Sequence, residues 1–276
     1  MKVVSYRSAA LALVLLVGGV CNAQARCPTS APSDGSTLRR ASDRTYKVLA
    51  SGTLTLPTGS FVPDAMGPRS GAFGGGDIAH VDGRWWQVED RAAYAGTHVR
   101  AGQPERVTLV WQRAEERWTL SHVHLSRSVP LGSRLETVAD VRSTPAIGSA
   151  VARRTRTFWE AWTAQQFDDV ADHYVEHDDT LVFLPWVPKP FLSWDSFFGS
   201  ARGIIEASER SRFVPKGTST VDEGSAAATT SGIWTADILG ADGKATTGDA
   251  RYTLFWLLCD GEWKIAHEHL SSIVKP

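Results

Sequence analysis

Arg106–Ser126 reads RVTLVWQRAEERWTLSHVHLS, and Arg251–Ser271 reads RYTLFWLLCDGEWKIAHEHLS. The two stretches align without a gap at an offset of 145 residues, and nine positions coincide: Arg, Thr, Leu, two Trp, two His, Leu and Ser. Self-similarity of this kind marks a repeated supersecondary unit. In the second copy Asp260-Gly261 stands between two apolar runs, and both turn residues tolerate positive φ. The stretches therefore predict two β-hairpins. They single out Trp118, His122 and His124 in one, and Trp263, His267 and His269 in the other.

Outward from the second hairpin the period changes. Between Ser149 and Gln166, Val151, Phe158, Trp159 and Trp162 fall at helical spacing, with Phe167 just beyond. Asp168 to Val175 reads as a second short helix whose first acids suit a positive N-terminal end. Thr180 to Leu184 reads as a strand that Pro185 stops, and Asp195 to Ala207 as a third helix capped by Ser193. Strands follow at Arg212–Asp222, Ala226–Leu239, Ala245–Cys259 and Glu262–Ile273. Helices grouped before an antiparallel sheet give an α+β module, a curved sheet with three helices across its mouth, enclosing a pocket. The first half reads as nearly all β, with strands at Thr45–Leu56, Asp77–Val88, Tyr94–Arg100, Arg106–Arg113 and Trp118–Ser126. The glycine run 74–76 lacks the strand-then-helix context of a phosphate loop and reads as a plain loop.

Asp260, Gly261, Trp263, His267, His269 and Ser271 form an acidic-Gly hairpin followed by W-x-x-x-H-x-H-x-S. This pattern resembles the late strand of the NTF2-like superfamily, closest to its SnoaL-like members and to the association domain of calmodulin-dependent kinase II. HYVEHDDTLVFLP, His173 to Pro185, resembles that family's second helix and first strand. The resemblance covers residues 148–274 and implies an NTF2-like cone there. The first half shares the hairpin and a strand before it (Gly76 to His80 beside Gly224 to Ala228), with no room for the helices. Its sheet must bury a face elsewhere. NTF2-like domains often pair sheet to sheet, so the resemblance implies an intramolecular pseudo-dimer, with further homodimerisation left open. The plan is then a signal peptide at 1–25, a flexible arm at 26–44, a partial NTF2-like β module at 45–130, a linker at 131–147 and an NTF2-like domain at 148–274.

The signal peptide rests on Lys2 and Arg7, the apolar run Ala9–Val20 and the small-x-small site Ala23-Gln24-Ala25. It predicts a secreted or periplasmic protein with no membrane anchor after cleavage. Removing Lys2 and Arg7 from the 29 basic residues leaves 27 against 30 acids, interspersed in sign. No basic stripe points to nucleic acid. Cys27 and Cys259 would remain, either paired across the chain or separate, with Cys259 a buried apolar residue and Cys27 a free thiol.

Two readings of the histidines stand side by side. SnoaL-like cyclases and ketosteroid isomerases use an Asp or a His–Asp pair for proton abstraction beside a carbonyl. On that resemblance His267, His269 and Asp178 are candidate catalytic residues. Strict alternation along the last strand would put Trp263, Ile265, His267, His269 and Ser271 on one face, and Glu268 on the other as a solvated charge. Against the catalytic reading, His122 and His124 recur in a half without a pocket, which suits a role between strands or sheets. Two imidazoles leave a metal short of ligands, so neither metal nor cofactor is expected. Trp159, Tyr174, Trp186 and Trp234, with His267 and His269, are the candidate ligand contacts. Their chemistry suits a small apolar or aromatic molecule. Trp162, Trp256 and Trp263 are assigned to the core. A binding or assembly module is the leading functional reading, and an isomerase-like enzyme the alternative.

Overall fold

The computed structural model describes residue 27, residues 37, 38, 40, 41, 44 and 45, and residues 79–100, 103–115, 117–129, 149–175, 180–187, 189–241, 243 and 245–273. The expected signal peptide, the glycine-rich loop at 59–76, the linker at 131–147 and Asp178 lie outside them. So does the strand expected from Thr45 to Leu56, save that Thr45 itself is helical.

Four strands form the first sheet in the order β1-β2-β3-β4: Ala79–Val88, Arg91–Arg100, Gln103–Ala114 and Arg117–Ser126. All neighbours are antiparallel. Helix α1 (Ala150–Ala164), helix α2 (Phe167–Asp172), strand β5 (Leu181–Phe183) and helix α3 (Trp194–Glu206) follow. Ser149 caps α1, accepting from the Ala152 amide at 3.0 Å, and Ser193 caps α3 through the Ser196 amide. Four long strands complete the chain: β6 (Ser208–Glu223), β7 (Ala227–Gly240), β8 (Ala245–Cys259) and β9 (Glu262–Ser272). The second sheet has the order β5-β9-β8-β7-β6, with β5 parallel to β9. At the β8–β9 turn Asp260 and Gly261 both take positive φ, 50° and 89°. The strand beside the first hairpin is β2, and Ala79 and His80, the described end of the segment expected there, open β1. Ala92 lies opposite Trp111 as Ala228 lies opposite Trp256.

The sheets pack face to face. Trp86, Ala93, Ala95 and Val110 of the first meet Phe183, Phe255, Leu257 and Ala266 of the second in one apolar cluster. The other face of the second sheet carries the helices over a larger core of Phe158, Trp159, Trp162, Phe197, Trp234, Trp256 and Ile265. The other face of the first sheet buries Leu109, Trp111, Val123 and Leu125 with Leu38, which is 1% exposed on a helical segment. The arm expected to be flexible is thus held down. Leu38 packs on the sheet, and Cys27 forms a disulfide with Cys259 on β8. A sheet with an apolar outer face needs a cover, and this arm supplies part of it.

One local irregularity decides which residues face the cavity. Pairing along β3–β4 slips between Val110 and Trp111, and pairing along β8–β9 slips at the matching place, between Phe255 and Trp256. Each slip leaves an extra residue, Ser121 or Ala266, as a β-bulge. A bulge breaks the two-residue alternation, so side chains beyond it change face. Along β9, Ile265 packs under the helices, Ala266 joins the inter-sheet cluster, and Leu270 returns to the helix side. The expected single face from Trp263 to Ser271 is corrected accordingly.

Candidate ligand cavity

His267, His269 and Ser271 point between the sheets and do not line the cavity under the helices. There they meet their counterparts from the first hairpin in reciprocal contacts. The Thr108 hydroxyl lies 2.7 Å from His267 Nε2 and 2.8 Å from His269 Nδ1. Thr253 makes the same pair of contacts to His122 Nε2 and His124 Nδ1, each at 2.9 Å. Ser126 meets His269 Nε2 and Ser271 meets His124 Nε2, both at 2.7 Å. The rings of His124 and His269 stack at 3.7 Å between centroids.

The proton positions in half of this network follow from one carbonyl. Leu181 O lies 2.7 Å from His267 Nδ1 and can only accept, so Nδ1 carries the proton. Burial holds the His267 imidazole down to about 3, so the ring is neutral and Nε2 accepts from Thr108. Thr108 has then used its only proton and accepts from His269 Nδ1. His269 Nε2 in turn accepts from Ser126. Burial likewise lowers His122 to about 3 and takes His124 and His269 well below the ordinary range. These nitrogens are committed to hydroxyls and a carbonyl. Among the described residues no group of three or more His, Cys, Asp or Glu is placed to hold a metal ion.

The cavity lies on the other side of β9. It measures about 50 Å³ and is lined by α1, α3, β6, β7, the end of β9 and the segment after β5. Its wall is aromatic and aliphatic: Trp159, Trp162, Trp186, Trp234, Phe197 and Phe213, with Leu184, Leu270 and Ile204 among the rest. Trp159 and Trp234 stack at 5.4 Å. Ile204 is 42% exposed, so the space opens to solvent beside α3. Of the four indoles, Trp159, Trp186 and Trp234 were expected as wall. Trp162, assigned to the core, also reaches the cavity. Tyr174 is not part of the lining but stands behind it.

Among the described residues, the one ionisable residue in the lining is Glu268. It is 1% exposed, which overturns its reading as a solvated charge. The bulge at Ala266 and the alternation beyond it turn Glu268 toward the helices, between two histidines that face the first sheet. Its carboxylate accepts a hydrogen bond from the Tyr174 hydroxyl. Burial raises the Glu268 carboxyl to about 7, with the Tyr174 hydrogen bond working the other way. Burial, then the neighbouring Glu268 charge, pushes Tyr174 well above the ordinary phenol value. Three acids are buried among the described residues. Glu105 pairs with Arg127 at 2.6 Å and Asp249 with Lys216 at 2.9 Å. Glu268 has the Tyr174 hydroxyl and no basic partner among the described residues. One sequence signal marked it: within the shared H-x-H, position 123 is Val and position 268 is Glu.

Helices on one face of a mostly antiparallel sheet, with a cavity between them, define an NTF2-like α+β module in the C-terminal half. Residues 151–275 match the family model described as a SnoaL-like domain. The C-terminal module is therefore an NTF2-like domain of the SnoaL-like family. Among solved structures the chain is similar to a candidate calcium/calmodulin dependent protein kinase II association domain from Xanthomonas campestris. That match has 23% identity and TM-score 0.43, covering 50% of this chain and 97% of that one. It is similar also to a candidate ketosteroid isomerase from Shewanella frigidimarina, at 18% identity and TM-score 0.39, covering 47% and 100%. The association domain of CaMKII from C. elegans matches at 16% identity and TM-score 0.36, covering 44% and 92%. No curated protein matches the chain.

Proposed function

We propose that the C-terminal module binds a small, largely apolar molecule in the cavity under its helices, with Glu268 as the polar contact. The observation that carries this reading is a lining of four indoles and further apolar side chains in which Glu268 is the one acid among the described residues. Such a site rewards apolar surface and fixes orientation through one polar group. The unoccupied space is smaller than the roughly 300–1,000 Å³ of drug-sized sites, so the ligand is small or the wall at α3 moves outward. Because the indoles line the site, quenching of tryptophan fluorescence on titration of small apolar ligands into the full chain reads binding directly. Trp234→Ala is expected to weaken that binding at least about tenfold. Ligands bound equally well by the Trp234→Ala and Glu268→Gln chains would be sitting elsewhere, and the reading would fall.

The second reading is proton transfer on a small carbonyl compound, and one observation favours it. A carboxyl held near 7 is matched to general acid–base work at neutral pH. Glu268 would then be the proton carrier in place of His267, His269 or Asp178. Its test is exchange of the α-protons of a bound small ketone into D₂O, followed by NMR and abolished in Glu268→Gln.

The N-terminal sheet is read as a partial NTF2-like module that replaces a partner subunit. The reciprocal Thr–His–Ser contacts support it, because a twofold interface makes each contact twice. Export to an oxidising compartment is supported by the Cys27–Cys259 disulfide, a bond that persists mainly there. Mass spectrometry of the exported chain, with its first residue read directly, tests the expected cleavage after Ala25.

A further inference from the structure

We propose that the ligand of this cavity is a small organic cation of the alkylated-ammonium class, held by the tryptophan wall and by Glu268. The inference rests on the binding reading above and sharpens it to a ligand charge.

Three observations converge. Glu268 is the one buried acid among the described residues that lacks a basic partner, whereas Glu105 and Asp249 each have one. A buried carboxylate without a countercharge costs several kcal/mol, and the protein elsewhere avoids that cost with Lys or Arg. Among the described residues no Lys, Arg or His lines the cavity, so a countercharge for Glu268 would come from what enters it. The wall is also chemically apt. Trp159, Trp162, Trp186 and Trp234 line the same cavity as Glu268, and indole is the aromatic group that attracts cations most strongly. Finally, the lining offers one carboxyl and almost no other acceptor. A primary ammonium would bury N–H groups without partners. A trimethylammonium group presents methyl surface and no N–H, so it satisfies an apolar wall and a carboxylate together.

The test compares choline with 3,3-dimethyl-1-butanol, its neutral isostere with carbon in place of the charged nitrogen. Each is titrated into the full chain at about pH 8, above the Glu268 midpoint, with tryptophan fluorescence and calorimetry as readouts. Choline is expected to bind roughly tenfold tighter or more. In Glu268→Gln, which keeps the shape and can still accept from Tyr174, the preference for choline over the alcohol should vanish. The wild-type comparison stands by itself if that variant fails to fold. Equal or tighter binding of the neutral alcohol overturns the cation and leaves the apolar cavity reading intact. Binding of neither compound removes both.

Discussion

Glu268 controls two measurable pH dependences. Its folded-state midpoint, about 7, lies above the unfolded carboxylate value because of burial. The folded protein then holds a proton that the unfolded chain has lost, so this group subtracts stability as pH rises from about 4.5 to 7. Glu268→Gln removes that loss. Urea unfolding should show the variant more stable than wild type by about 2–3 kcal/mol at pH 8, with the difference closing near pH 4.5. The second dependence concerns ligand. Among the described residues Tyr174 is the one other titratable group found on Glu268, and the rest of the lining carries none. Choline affinity should therefore climb through pH 7 and level off above it, and a calorimetric series from pH 6 to 8 reads the slope. At this scale the sequence revealed which residues stand apart but not where they point. His267 and His269 were visible as a pair, and Glu268 as the position where the copies differ. Which of them faced the cavity hung on one inserted residue, Ala266, that no periodicity announces.

Among the elements, β4 and β9 carry the interface between sheets. Their four imidazoles are neutral when folded and ordinary when unfolded. Each therefore removes stability as pH falls below about 6.5, until its own low folded midpoint is reached. Arg106 and Arg251, facing the cluster from β3 and β8, push in the same direction. Stability is expected to drop by about 1.4 kcal/mol per pH unit for each imidazole that charges on unfolding. In His267→Leu the slope between pH 4 and 6 should lessen by about one proton, measured by urea unfolding at each pH. At neutral pH the same variant should lose roughly 2–4 kcal/mol, because Thr108 and the Leu181 carbonyl lose a buried partner. Apolar periodicity showed the helices and strands in order, because each must present one face to a core. The bulges at Ser121 and Ala266 were invisible to it, since an extra residue leaves no mark of its own in composition.

At the scale of the whole molecule, the second sheet has helices on one face and the first sheet on the other. A chain limited to residues 149–276 would expose Phe183, Phe255, Leu257 and Ala266 together with the neutral histidines. It is expected to self-associate in analytical ultracentrifugation at concentrations where the full chain sediments as a monomer. Reduction of Cys27–Cys259, or Cys27→Ser, should lower stability by roughly 2–5 kcal/mol, since the bond closes a span of 232 residues. The sequence by itself determined the two hairpins, the α+β order of the C-terminal module and its likeness to NTF2-like domains. Those properties follow from local periodicity, turn chemistry and a motif carried on neighbouring residues. Only the tertiary structure decided that Cys27 meets Cys259, that Leu38 covers the outer sheet, and that a lone glutamate rather than the histidine pair faces the cavity. Each of these depends on contacts between residues far apart in the chain, or on a strand register set by both faces of the sheet at once.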